Sequence, residues 1–137
     1  MRRRGVLDAS AAVHVVCGLP AGKNLLEVLA NTAVVMAPDL YVSEVASTLW
    51  KYVRHDSLQS EDASDRLGDA RRLVDLRVSD DELVEEALVA AVAYGHPVYD
   101  MLYAVLARRH GAEVITMDQR LTSALKRMEI GFVLGES

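Results

Sequence analysis

The 137-residue chain carries a formal charge of −5, and 51% of its residues are hydrophobic while only 5% are aromatic. That length suits one domain, residues 1–137, with an aliphatic core, and the acidic balance excludes nucleic-acid binding through bulk charge alone. The single cysteine, Cys17, excludes an intrachain disulfide and a thiolate zinc site, and a reducing compartment is expected.

In chain order, Gly5-Val6-Leu7-Asp8 reads as a short strand. The MRRRG start followed by VLDASAAVHVVCG has the outline of a signal peptide, but Asp8 and His14 interrupt its apolar region. The expectation is therefore a cytoplasmic protein, and with no run of transmembrane length no membrane contact is expected. Lys23 to Ala30 forms a short amphipathic helix, and Ala33 to Ala37 is a second apolar run of strand length. Pro38 is expected to open the next helix, about Leu40 to Arg54, as proline does at a first turn.

Ser60 is the expected N-cap of a helix running to about Val74. Ser79 with Glu82 forms a capping box for ELVEEALVAAVAY, and Gly95 stands at the C-cap position. A helix from about Tyr99 to His110 ends at Gly111, EVITM follows as a strand, and a helix near Gln119 to Met128 leads to a GFVL strand. The resulting order, β-α-β-α-α-α-α-β-α-β, predicts a three-layer α/β/α sandwich around a mainly parallel sheet.

Four acids stand where these elements meet their loops: Asp8 and Asp118 after strands, Glu44 and Asp100 in the early parts of helices. In open α/β sheets the binding crevice lies beyond the carboxyl ends of the strands, so all four face it. Two carboxylates about 5 Å apart repel by roughly 3 kcal/mol at an effective dielectric of 20, so a cluster of four requires protons or a cation. An all-oxygen site suits Mg²⁺ or Mn²⁺, ions that activate water and stabilise charge on a phosphoryl group. Taken singly, Asp8 and Asp118 also fit as helix N-caps and Asp100 as a helix-dipole carboxylate. Glu44 has no such reading, because an acid between Val42 and Val45 gains nothing from burial.

The segments VLDASAAV, VSEVASTLWK and YDMLYAVLARRHGAEVITMDQRL together resemble the PIN domain, in particular the VapC-type toxin ribonucleases. The similarity runs from Val6 through the GFVL strand. The resemblance implies a Mg²⁺- or Mn²⁺-dependent endoribonuclease, usually a homodimer and silenced by a cognate antitoxin. It places the metal ligands at Asp8, Glu44, Asp100 and Asp118, with Ser10 and Thr116 as hydroxyl neighbours that orient carboxylates. The implied chemistry is hydrolysis of an RNA phosphodiester to a 5′-phosphate and a 3′-hydroxyl.

Lys51, Arg54 and Arg120 are the candidate phosphate contacts; Arg108 and Arg109 read as solvated charges. The Arg2-Arg3-Arg4 start has two readings, an RNA-touching arm or a start-site artefact. His14, His55, His96 and His110 show no metal-ligand spacing, and three of them fall near helix ends, where a capping role is expected. Trp50 and Tyr52 are expected in the core or an interface. A mean hydropathy of +0.12 in an acidic chain points to apolar surface that meets another chain, expected on Leu25, Leu26, Val28 and Leu29 and on Val45 and Leu49. The alternative function is a PIN-like module that binds RNA or protein without cutting. A receiver-like or phosphatase domain fits less well, since the first strand ends in D-A-S where an acidic pair is wanted and the late strand leads into D-Q-R.

Overall fold

A computed structural model describes residues 3–136. Strand β1 (Arg3–Leu7) leads into helices α1 (Ala9–Val16) and α2 (Gly22–Ala30), then β2 (Thr32–Pro38). Helices α3 (Leu40–Arg54) and α4 (Ser60–Arg72) precede β3 (Leu76–Val78), followed by α5 (Asp80–Tyr94) and α6 (Val98–His110). The chain closes with β4 (Glu113–Thr116), α7 (Gln119–Arg127) and β5 (Phe132–Leu134).

Every strand pairing is parallel, in the order β3-β2-β1-β4-β5. The connections move from β1 outward to β3, then cross to β4 on the other side of β1. Right-handed crossovers place α1 to α4 over one face of the sheet and α5 to α7 over the other. The packing agrees, since α1 touches α2, α3 and α4 while α5 lies along α6. This is the expected α/β/α sandwich with a parallel sheet.

The buried core is aliphatic at its centre, with Val6, Leu7, Leu106, Ile115, Leu121 and Leu125 at 2% exposure or less. Strand β1 lies between two neighbours, which explains the glycine within it. A Cβ on Gly5 would stand 2.8 Å from Ile115 Cδ1 and 3.1 Å from Thr32 Cγ2.

Two elements were not legible as such. Helix α1 hides in the apolar run after Asp8, where helix and strand periodicity cannot be told apart over eight residues. Strand β3 has only three residues, with Leu76 and Arg77 exposed, so it carries no apolar pattern.

Pro38 ends β2 and does not open α3. With no N–H of its own, it leaves the next residue to complete the ladder, and Asp39 N donates to Val78 O at 2.9 Å. The N-cap of α4 is Gln59, with Ser60 as the first helical residue. Ser79 does cap α5, accepting from Asp81 N at 3.2 Å, and Gly95 and Gly111 end α5 and α6 with φ of 62° and 59°.

The expected apolar surface is present only in part: Leu26 is 52% exposed and Val28 half-buried. Leu25, Leu29, Val45 and Leu49 belong to the buried core, because α2 and α3 turn these residues toward the sheet and α1. The exposed aliphatic stripe is on α5, with Leu88, Val89 and Val92 at 54%, 69% and 78% exposure and Val84 beside them. Trp50, expected to be buried or in an interface, is more than half exposed. Among the described residues no helix is long and apolar enough to cross a membrane.

Candidate active site

The strand order reverses at β1 and β4, so the crevice of the sheet opens beyond the carboxyl ends of these two strands. Asp8 follows β1 and Asp118 comes two residues after β4. Both also cap helices. Asp8 Oδ1 accepts from Ala11 N at 3.0 Å, and Asp118 Oδ1 accepts from Arg120 N at 2.9 Å and Leu121 N at 3.3 Å. The two readings of each acid thus coexist, since a helix beginning at a strand end puts its cap residue in the crevice.

A cavity of about 320 Å³ opens there, lined by Asp8, Glu44, Asp100 and Asp118 together with Ser10, His14, Lys51 and Tyr103. All four predicted acids are therefore brought to one cavity. Glu44 comes from α3 with Ser47, Thr48 and Lys51 on the same helical face, at intervals of three, four and seven residues. Asp100 comes from the first turn of α6.

Asp8 is the most deeply held. Ser10 Oγ donates to its Oδ1 at 2.7 Å, and Thr116 Oγ1 donates to its Oδ2. Ser10 Oγ in turn accepts from Met117 N at 3.1 Å, and Thr116 Oγ1 accepts from Asp118 N at 2.9 Å. The two predicted hydroxyl residues thus tie both oxygens of Asp8 to the loop that carries Asp118.

Two further contacts escaped the sequence reading. Tyr103 O–H donates to Glu44 Oε1 at 2.6 Å, and His96 Nε2 donates to Asp100 Oδ2 at 2.9 Å. His96 stands four residues before Asp100, but its contact depends on the turn between α5 and α6, and the Tyr103 contact spans 59 residues and has no local signal.

Burial pushes the Asp8 carboxyl up from 3.8 to about 6, against the hydrogen bonds from Thr116, Ser10 and Ala11 that lower it, with the Asp118 charge adding to the rise. Glu44 is raised by burial and by the charges of Asp100 and Asp80, with the Tyr103 hydrogen bond opposing. Asp100 is likewise raised by burial, and Asp118 adds to this while His96 and Arg120 oppose it. Three clustered acids therefore hold protons more tightly than usual. This is the electrostatic condition that a divalent cation relieves.

The donor set fits a hard cation, since the four acids and the hydroxyls of Ser10, Ser47 and Thr48 offer oxygen, while Nδ1 of His14, the imidazole on the wall, is hydrogen-bonded to the Ser10 carbonyl at 2.9 Å. Among the described residues no three or more His, Cys, Asp or Glu side chains stand close enough together to hold a metal ion as they are. Acids spread around an open cavity suit an ion that retains several waters, as Mg²⁺ does.

The basic residues separate. Lys51 lines the cavity. Arg120 is exposed and close enough for its charge to act on Asp100. Arg54 does not line the cavity; its guanidinium lies 4.8 Å from the Trp50 ring centroid. Arg108 and Arg109 pair with Glu86 on α5 at 3.1 and 2.8 Å, as expected of surface charges. Arg3 pairs with Glu113, Arg4 reaches the His110 carbonyl, and Arg2 lies outside the described residues.

A PIN domain family model matches residues 5–127. Ribonuclease VapC3 of Pyrobaculum aerophilum is 30% identical over 118 residues, covering 85% of this chain and 90% of that protein. Among solved structures, PAE2754 from Pyrobaculum aerophilum aligns with a TM-score of 0.71 at 24% identity, covering 89% of this chain and 79% of that one. A toxin–antitoxin complex from Klebsiella pneumoniae aligns with a TM-score of 0.63 at 18% identity, covering 94% and 95%.

Proposed function

The chain belongs to the PIN domain family, and from that premise we propose that it is a metal-dependent endoribonuclease, the toxin of a toxin–antitoxin pair. The observation that carries this reading is the gathering of Asp8, Glu44, Asp100 and Asp118 around one cavity at the switch point of the sheet. The whole chain works as one catalytic domain in the cytoplasm, with RNA as substrate and Mg²⁺ or Mn²⁺ as cofactor.

Asp8, Asp100 and Asp118 hold the ion directly or through water, and Glu44 completes the site from the α3 side. Bound there, Mg²⁺ or Mn²⁺ supplies Lewis-acid stabilisation of a phosphoryl group and acidifies water. Ser10 and Thr116 fix the Asp8 carboxylate, so the ligand geometry is set before substrate arrives. Glu44 has a raised proton affinity and lines the same cavity as Asp8, which suits it to accept the proton of an attacking water.

Lys51, one helical turn beyond Ser47 and Thr48, binds the RNA phosphate and offsets the acidic wall, with Arg120 as a second cation at the rim. Hydrolysis by water yields a 5′-phosphate and a 3′-hydroxyl.

The exposed Leu88, Val89 and Val92 stripe on α5 supports a homodimer through this helix. The structurally similar protein from Klebsiella pneumoniae is part of a toxin–antitoxin complex, and that supports a protein antitoxin as the partner here. Expression in a bacterial host tests the toxin reading. The wild-type chain arrests growth, and Asp118→Asn relieves the arrest; growth unaffected by an expressed, folded wild-type chain would contradict it.

A further inference from the structure

Three of the four acids share one bonding pattern. Glu44 accepts from Tyr103 through Oε1, Asp100 from His96 through Oδ2, and Asp118 from its own helix through Oδ1. Their other oxygens, Glu44 Oε2, Asp100 Oδ1 and Asp118 Oδ2, have no protein partner among the described residues. A carboxylate pinned through one oxygen presents the other in a fixed direction, which is what a ligand to a small hard cation requires.

Neither donor is explained by packing. Tyr103 is 1% exposed, so its ring belongs to the core and a phenylalanine would fill that space without a polar atom to satisfy. Its hydroxyl spans 59 residues of sequence to reach α3. His96 has a side chain 9% exposed and sits between Gly95, in the left-handed region at φ 62°, and Pro97, at φ −56°. These two residues turn the chain so that the imidazole lies against the first turn of α6. The α6 segment thereby supplies Asp100, the donor that holds it and the donor that holds Glu44.

Resting on the metal-nuclease reading above, we propose that Tyr103 and His96 are positioning residues that fix Glu44 and Asp100 for the divalent ion. The two donors set the spacing of acids on different helices, and their loss weakens ion binding before it affects the fold.

Mn²⁺ titration by calorimetry on the metal-free, full-length protein tests this, with thermal melting and RNA cleavage measured in parallel. Tyr103→Phe and His96→Ala each raise the Mn²⁺ dissociation constant by about ten- to a hundredfold. The Mn²⁺ concentration giving half-maximal cleavage moves by the same factor. His96→Gln, which keeps an N–H donor, recovers most of the affinity.

Unchanged Mn²⁺ affinity in both Tyr103→Phe and His96→Ala, with or without a lower melting temperature, would overturn the proposal while leaving the nuclease reading intact. Wild-type protein that neither binds Mn²⁺ nor cleaves RNA would remove the reading itself.

Discussion

Thr116 and Asp8 stand 108 residues apart in the chain and are joined by a hydrogen bond from Thr116 Oγ1 to Asp8 Oδ2. The same threonine oxygen accepts from Asp118 N, so a single buried hydroxyl couples the ends of β1 and β4. Ser10 repeats the arrangement on the other oxygen of Asp8 through Met117 N. The switch point of the sheet is thereby stitched across its crevice by two hydroxyl side chains. Asp8 and Asp118, at the ends of these two strands, are thereby tied to one network.

Asp8→Asn separates the capping role of this residue from its chemistry. Asparagine caps helices as well as aspartate does, so α1 keeps its first turn. The buried charge disappears, and the metal-free variant is at least as stable as wild type at pH 7. Cleavage falls by at least about a hundredfold, the upper range for groups that only support a metal site. Melting curves and cleavage rates of the same preparation check both halves.

The pH dependence follows from the raised Asp8 carboxyl. An acid held at about 6 when folded and near 3.8 when unfolded keeps its proton in the folded state across that window. Folding stability from this group is full below about pH 4 and is lost as pH rises through 6, on the order of 3 kcal/mol in all. Glu44 and Asp100 shift in the same direction. Ion binding needs the deprotonated acids, so Mn²⁺ affinity climbs through the same window. The stability of wild type relative to Asp8→Asn falls from pH 4 to pH 7 without metal, while the melting-temperature gain from Mn²⁺ grows. Denaturant melts at several pH values check the sign.

Lys51 and Arg54 stand one turn apart on α3, yet they have different surroundings. Lys51 lines the cavity, whereas Arg54 is stacked on Trp50. Lys51→Ala raises the KM for RNA about tenfold, one lost phosphate contact, and leaves Mn²⁺ affinity unchanged. Arg54→Ala changes KM less than twofold. Steady-state kinetics on a short RNA distinguishes the two.

The α5 stripe carries the dimer prediction. Leu88→Glu combined with Val92→Glu places charge on side chains that are already more than half exposed, so the fold of each chain is retained. Light scattering gives twice the 15.0 kDa chain mass for the wild type and the single-chain mass for the variant. A wild-type mass of one chain would remove the dimer from the account.

How much of this was legible depended on how far each feature is spread along the chain. The acids were visible because Asp8 and Asp118 follow apolar runs readable as strands and Glu44 and Asp100 stand early in readable helices, and strand ends and helix starts share one crevice in a parallel sheet. Ser10 and Thr116 lie two residues from an acid, within reach of local reading. His96 and Tyr103 were not, because their roles depend on how the α5–α6 loop turns and on which helix lies opposite α6. The exposed aliphatic surface was legible only in part for a related reason. Helices α2 and α5 are both rich in Leu and Val, and only the assembled packing decides that Leu25 and Leu29 face inward while Leu88 and Val92 face out.

The central claim is that four acids at the switch point cut RNA with a divalent ion. Purified chain, free of any inhibitor, is incubated with total bacterial RNA and Mg²⁺ or Mn²⁺, with and without chelator, beside Asp100→Asn. The account predicts discrete fragments bearing 5′-phosphates that vanish on chelation and in the variant. Folded wild-type protein that binds Mn²⁺ yet cuts no better than Asp100→Asn would contradict it and identify a module that binds without cutting.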